Sequence, residues 1–498
     1  MLQKTKRSAV SGGVTVFLIT LIVLRDLFID NMIYFPPVLL LHASILELLV
    51  VSQLWPAYQR GNSKTRMERM LLCYAAWALL TRFLLLDFAE KIGLEVLTVC
   101  EMCVAFCAMR GMDRKAASRI FTLATAILCA VLTVWCVCGM VVVLTDIGEI
   151  QLLNTSIQIT AEDVWTTAGN AGILKFLDYY PVHRNESSAW MMIGLWLLAY
   201  QWSVCQKKLW RIPMAFSMLL LYLSIALQRS RSVCVITGLT LGLLAASGLL
   251  KLNWKRLPKY LLMAATVLLC TFVVYKSFSA ISAGLSGISA MRKETVTAQA
   301  SMPTGDALPA ETPQTEPAPE APKLVKLSEA TPVSTEPAND PVLTDQRSFF
   351  HDLLTLTLRT RIWKCEAYAL IHHPLLLIFG QQEDQVAWNM VRYGGLDIPA
   401  KHTHNGFLQI LATFGLPGLI LFILFLLPLL KKILCVYLGN APMSAKILTL
   451  PLIGLLVYSV MEPMFTSFVG LASVLFMLIA GKLCRVETGN AAPDRVSG

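Results

Sequence analysis

Apolar residues in this chain come in unbroken runs of about twenty, separated by short polar stretches. Twelve such runs stand at about 10–29, 33–55, 70–88, 92–109, 120–145, 188–206, 212–228, 233–250, 257–280, 406–430, 446–462 and 464–482. Each is about long enough to cross ~30 Å of hydrocarbon at ~1.5 Å per helical residue. In lipid every backbone N–H and C=O must be satisfied within the segment, so these runs predict helices. The expected fold class is an all-α integral membrane protein, a polytopic bundle of about twelve transmembrane helices. The first run lacks a small-residue cleavage site and reads as a span, not a removable leader.

Basic residues set the orientation. With Lys4, Lys6 and Arg7 in the cytoplasm, every second loop should be rich in Lys and Arg. The pattern holds at Arg60, Lys64, Arg66 and Arg69, then at Arg110, Arg114, Lys115 and Arg119, then at Lys207, Lys208 and Arg211. It continues at Lys251, Lys255, Arg256 and Lys259, at Lys431, Lys432 and Lys446, and at Lys482 and Arg485. Both termini are therefore expected in the cytoplasm, with nine helices in 1–280, three in 406–482 and a cytoplasmic tail at 483–498.

Two segments are left outside, 146–187 and 281–405. The second is far longer than an ordinary connection. Its stretch 295–345 carries Pro303, Pro309, Pro313, Pro317, Pro319 and Pro322 among Thr, Ala and Glu, with no helical or strand period. Such a composition buries too little apolar surface to offset chain entropy, so disorder is expected there. Apolar periodicity returns at 350–373 and predicts an amphipathic helix stopped by Pro374.

Composition removes the soluble alternatives. Hydrophobic residues make up 56% of the 498, charged residues 15%, and the mean hydropathy is +0.61. A soluble domain is nearer ~25% charged. The net charge of +10 lies mostly in the cytoplasmic loops. It reports orientation and implies no nucleic-acid partner. Cys365 stands alone in the outer segments, so no intrachain disulfide is expected there. Cys100, Cys103 and Cys107 share a helix face and read as packing residues, since no His or Cys partner stands near enough for a metal site.

Three polar clusters then stand out, all on the outer side. They are Arg229-Ser230-Arg231-Ser232 between the seventh and eighth spans, Arg359-Thr360-Arg361-Ile362-Trp363 on the amphipathic helix, and His402-Thr403-His404-Asn405 before the tenth span. Span-end arginines can simply snorkel to headgroups. Here, however, the eighth and tenth spans both point their N-termini outward, and helix N-termini attract anions. Ser232 and Asn405 are the expected N-caps. Arginines beside two positive helix ends suit a phosphate or diphosphate, which a guanidinium grips with two parallel bonds.

The same residues resemble the O-antigen ligase and O-antigen polymerase superfamily of bacterial envelope glycan enzymes. His404-Asn405, nine residues, then Gly415-Leu416-Pro417-Gly418 is similar to the family's His-Asn and Gly-x-x-Gly spacing. Arg359 ahead of Trp363, the run Pro374, Leu375 and Gly380, and Ser230-Arg231 are similar to further family features. Gln381 and Gln382 depart from the pattern, where a second Gly often follows. The likeness covers about 185–470. It implies a membrane glycosyltransferase moving a glycan from a polyprenyl (undecaprenyl-type) diphosphate carrier to an acceptor hydroxyl outside the membrane, in cell-surface polysaccharide assembly. The acceptor would be a glycan, a lipid or a wall polymer. In that scheme Arg231 and Arg359 hold the diphosphate, with Arg229 and Arg361 as second choices. His404 takes the acceptor proton, and His402 and Asn405 line the site. The route is inverting, with no cofactor and no metal ligand, since no Asp-x-Asp motif lies outside. The competing class is a transporter or flippase of lipid-linked oligosaccharide, though no internal repeat favours one.

Charged residues inside spans need partners. Arg82 is expected to pair with Glu95 or Glu101, while Glu47 and His42 stay unassigned. His183-Arg184-Asn185, before the sixth span, is a further candidate contact for a glycan.

Overall fold

The computed structural model describes residues 65–84, 92–111, 114–145, 149–152, 155–158, 175–176, 180–181, 184–228, 230–250, 256–300, 357–395, 402–465 and 470–486. The first two expected spans, the stretch 301–356 and Arg229 lie outside the described residues. The helices are α1 (Arg66–Leu84), α2 (Ile92–Gly111), α3 (Arg114–Thr145), α4 (Arg184–Val204), α5 (Lys208–Leu227), α6 (Arg231–Leu249) and α7 (Arg256–Ala300). After the gap come α8 (Thr357–His372), α9 (Pro374–Phe379), α10 (Glu383–Arg392), α11 (Gly406–Leu438), α12 (Met443–Ser459) and α13 (Gly470–Leu483).

Each expected span from the third onward falls on a helix. Five are long and apolar enough to cross a membrane: Arg114–Val137, Lys208–Leu227, Arg231–Leu249, Leu257–Ile281 and Gly406–Leu438. α13, at 14 residues, reaches only about 21 Å. α5 and α7 leave Leu209, Ile212, Phe216, Leu261, Leu268 and Phe272 exposed. An apolar helix flank of that kind marks contact with lipid.

Three features differ from expectation. The segment between α3 and α4 holds two short antiparallel hairpins, β1 (Glu149–Leu152) with β2 (Thr155–Gln158) and β3 (Lys175–Phe176) with β4 (Tyr180–Pro181), so the described residues are not purely helical. α7 runs on to Ala300, past the expected end at 280, because nothing before Pro303 breaks its period. α11 is not one straight rod. Gly415 has φ 70° and ψ −179°, a region open essentially to Gly, and splits α11 after nine residues.

That break is held by a backbone crossing. Gly380, at φ 75°, follows α9 and lies against Gly415. A Cβ on Gly380 would fall 2.2 Å from Thr413 O, and one on Gly415 would fall 2.1 Å from Ile378 O. Gln381 N donates to Ala412 O at 2.9 Å. The carbonyls that the break frees also find donors: Trp77 Nε1 gives to Phe414 O at 2.7 Å and Arg82 Nη2 to Thr413 O at 2.8 Å. Irregular backbone in a membrane protein is tolerated where protein satisfies it. Arg82, expected to pair with Glu95 or Glu101, also donates to a carbonyl of α11, with its guanidinium 5.2 Å from the Phe414 ring.

α11 packs on α1, α13 on α2, and α12 on α4 and α6. A single apolar core joins them, with Trp190, Trp196, Tyr74 and Phe422 among its largest side chains. A second, small core of Ile362, Cys365, Val386, Met390 and Ala412 seats α8 and α10 beside the first half of α11. The buried apolar positions of α8, Ile362, Cys365, Ala369 and Leu370, recur at helical spacing.

Candidate functional site

The site lies where α4, α6 and α11 begin and α12 ends. Its centre is Glu462, 2% exposed, in the tight turn after α12. A carboxylate at a helix C-terminus faces the negative end of the dipole, so only strong local donors can hold it there. Three do. Arg359 Nη2 reaches Oε1 at 2.8 Å, Asn185 Nδ2 reaches the same oxygen at 2.7 Å, and His404 Nδ1 stands 3.3 Å from Oε2. Arg359 comes from α8, Asn185 from the first turn of α4, and His404 from the strap before α11. Four chain segments therefore meet at one side chain.

A second link extends the cluster. Ser230 Oγ donates to Asn185 Oδ1 at 2.7 Å. Ser230, not the expected Ser232, occupies the N-cap position of α6, and its hydroxyl serves Asn185 instead of the helix. Arg231 follows it, exposed, at the first position of α6. The arginine cluster between the seventh and eighth expected spans is thereby tied to Glu462 through Asn185.

The strap 402–405 is over-determined. His404 sits at φ 51°, uncommon without a glycine. Thr403 uses all of its polar groups: its N–H gives to Gln409 Oε1 at 2.9 Å, its hydroxyl to Asn405 O at 2.9 Å, and its carbonyl accepts from Trp363 Nε1 at 2.9 Å. Asn405 caps α11 as expected, Oδ1 accepting from Phe407 N and Leu408 N at 3.0 Å each. Its amide also gives to Val460 O at the end of α12. These bonds fix the strap that sets His404 Nδ1 beside Glu462.

His402 stacks its ring edge-on to His404 with centroids 4.1 Å apart, and its Nδ1 accepts the His404 N–H at 3.3 Å. One donor atom from each of His402, His404 and Glu462 lies within 4.8 Å of the others. Arg361 is exposed on α8 and lies about 200° round the helix from Arg359, so the two arginines do not face one group.

Sequence reasoning did not single out Glu462, and left Asn185 as one of three loosely grouped residues. Glu462 ends an expected span, a place where a lone carboxylate is costly. That cost was the available signal. Glu366 was also missed. It is fully buried between α8 and the Gly380 turn, where Gln381 Nε2 donates to Oε1 at 3.0 Å and Oε2 meets no donor. Burial pushes its carboxyl up to about 8, against a smaller opposing pull from the Gln381 bond. Gln381 in turn accepts from Asn389, so the residue that departs from the glycine pattern is a working polar bridge. At the far end of α8, a cavity of about 760 Å³ is lined by His373, Trp388, Asn389, Arg392 and Tyr393 among others.

Residues 215–423 match the family described as O-antigen ligase. No curated protein matches the chain.

Proposed function

We propose that this chain, whose residues 215–423 match the O-antigen ligase family, is a membrane glycosyltransferase that moves a glycan from a polyprenyl diphosphate to an acceptor hydroxyl on the outer side of the cytoplasmic membrane. The observation that supports the reading best is Glu462 holding Arg359 and His404 together, one anion-binding group and one proton acceptor.

The steps follow from that pairing. Glu462 keeps the His404 proton on Nδ1, so Nε2 presents a lone pair. Nε2 takes the proton of the acceptor hydroxyl as its oxygen attacks the anomeric carbon. The bond from that carbon to the diphosphate oxygen breaks, and the diphosphate leaves with the electron pair. Arg359, held by Nη2 on Glu462 and by Nη1 on Met461 Sδ, turns its remaining N–H groups to the charge that grows on the leaving group. Arg231, beside the positive end of α6, supplies the second contact, with Arg229 in a secondary place; Arg361, on another side of α8, is left out of this scheme. A single displacement inverts the anomeric centre. No metal is needed in this scheme, because the arginines neutralise the phosphates.

Substitution tests the proposal. His404→Ala and Arg359→Ala, at normal protein levels, should each lose transfer from a lipid-linked glycan by about 10²-fold or more. Transfer at the wild-type rate in either variant overturns the assignment.

A further inference from the structure

We propose that His402, His404 and Glu462 form a site for a d-block dication, zinc by donor set, and that its occupancy switches the transfer centre off. Glu462 Oε1 receives both Arg359 and Asn185, and Oε2 faces His404 Nδ1 at 3.3 Å. That separation is long for a charge-assisted hydrogen bond, which runs about 2.7–2.9 Å. It matches a different geometry. Two ligand atoms bound to zinc at about 2.0–2.1 Å across a tetrahedral angle stand about 3.3–3.4 Å apart. An ion therefore fits between His404 Nδ1 and Glu462 Oε2 without moving either, and without displacing Arg359 from Oε1. His402 supplies the third donor by a small turn of its half-buried ring, the three donor atoms already lying within 4.8 Å of one another. Two imidazoles and one carboxylate, with a fourth position open to water, are a common zinc environment.

The consequence is a change of tautomer. Without metal, Nδ1 carries the imidazole proton toward Glu462 and Nε2 is free to accept one. A dication takes the Nδ1 lone pair, and the same proton moves to Nε2. The imidazole stays neutral and no proton is released. His404 can then no longer accept the acceptor's proton. The binding half of this inference stands on geometry alone. The switching half rests on His404 acting as the base.

The test uses the full chain purified in detergent, stripped with chelator and titrated with Co²⁺ and then Zn²⁺. One equivalent of Co²⁺ should give the visible absorption of a four-coordinate nitrogen–oxygen site, and Zn²⁺ should bleach it. His402→Ala and Glu462→Gln should each weaken binding at least about tenfold. Arg359→Gln, which removes a competing positive charge from Glu462, should tighten it. His402 is only half-buried, so its variant keeps the experiment decisive if Glu462→Gln does not fold. Absence of Co²⁺ binding overturns the site. So does binding that neither variant alters, or the intense near-ultraviolet band of cysteine ligation in place of the weaker visible one. Zinc that binds here and leaves glycan transfer unchanged overturns the switching half alone. Zinc that binds while the metal-free protein shows no transfer at all counts against His404 as the base, not against the site.

Discussion

Gly415→Ala probes the crossing on which the site rests. The added Cβ would meet Ile378 O at 2.1 Å and Ile378 C at 2.5 Å, both backbone atoms. Ordinary contact begins at 3.4 Å, so one segment of the crossing must move by roughly 1 Å or more, or the residue must leave φ 70°. The backbone conformation alone costs about 1–3 kcal/mol for a non-glycine residue. The overpacking adds about 1–3 kcal/mol. Two other glycines separate the terms. Gly395→Ala carries positive φ with open space around it, and Gly248→Ala has open space at the end of α6 with no such backbone demand. Thermal unfolding of the purified protein, followed by the exposure of buried cysteines such as Cys103 and Cys234, should rank them Gly248→Ala, Gly395→Ala, Gly415→Ala in increasing damage. Transfer should fall with Gly415→Ala even at temperatures where the protein stays folded, because the first half of α11 carries Asn405 at its start and a ~1 Å misplacement can cost about 10²-fold. If Gly415→Ala is no worse than Gly395→Ala, the crossing of Gly380 and Gly415 is not where the account puts it.

Other outcomes follow from the same geometry. Arg359→Lys keeps the charge but not the fork, and should depress turnover in a lipid-linked glycan assay by about tenfold or more while expression is unchanged. Asn405→Ala removes a cap that serves Phe407 and Leu408, and should lower stability by about 0.5–2 kcal/mol in a denaturation series. Glu366 has a carboxyl raised by burial to about 8 in the folded protein. Its contribution to stability is therefore complete below the ordinary carboxylate range and is lost as pH rises through about 8. Glu366→Gln should flatten that pH dependence, with its gain over wild type largest above pH 8, measured by unfolding temperature against pH.

Much of the fold was legible because lipid permits so few solutions. Twenty-residue apolar runs leave little choice but helices, and the runs at 212–228, 233–250 and 257–280 fall where α5, α6 and α7 stand. The His-Asn to Gly-x-x-Gly spacing also has a plain physical cause. Asn405 caps a nine-residue half-helix, 406–414, and Gly415 ends it at the crossing. What the sequence hid was partnership across long separations. Glu462 lies 58 residues from His404 and 103 from Arg359, and Asn185 is 277 residues from Glu462. Helical periodicity reports which face is buried, not which distant side chain meets it. Arg82 shows the same limit. Charge logic looks only for a glutamate and says nothing of the Thr413 carbonyl that Arg82 also answers, freed only because α11 breaks, and the break depends on a glycine contributed from beyond α9.

The central claim is that Glu462 organises Arg359 and His404 into a centre that makes a glycosidic bond. The most direct measurement reconstitutes the purified chain with a lipid-linked glycan and an acceptor, and follows both product and movement of the donor across the bilayer. The account predicts a new glycosidic linkage with release of polyprenyl diphosphate, and a turnover reduced by about 10²-fold in folded Glu462→Gln. Movement of the donor without product, or a Glu462→Gln protein that works at the wild-type rate, would contradict it.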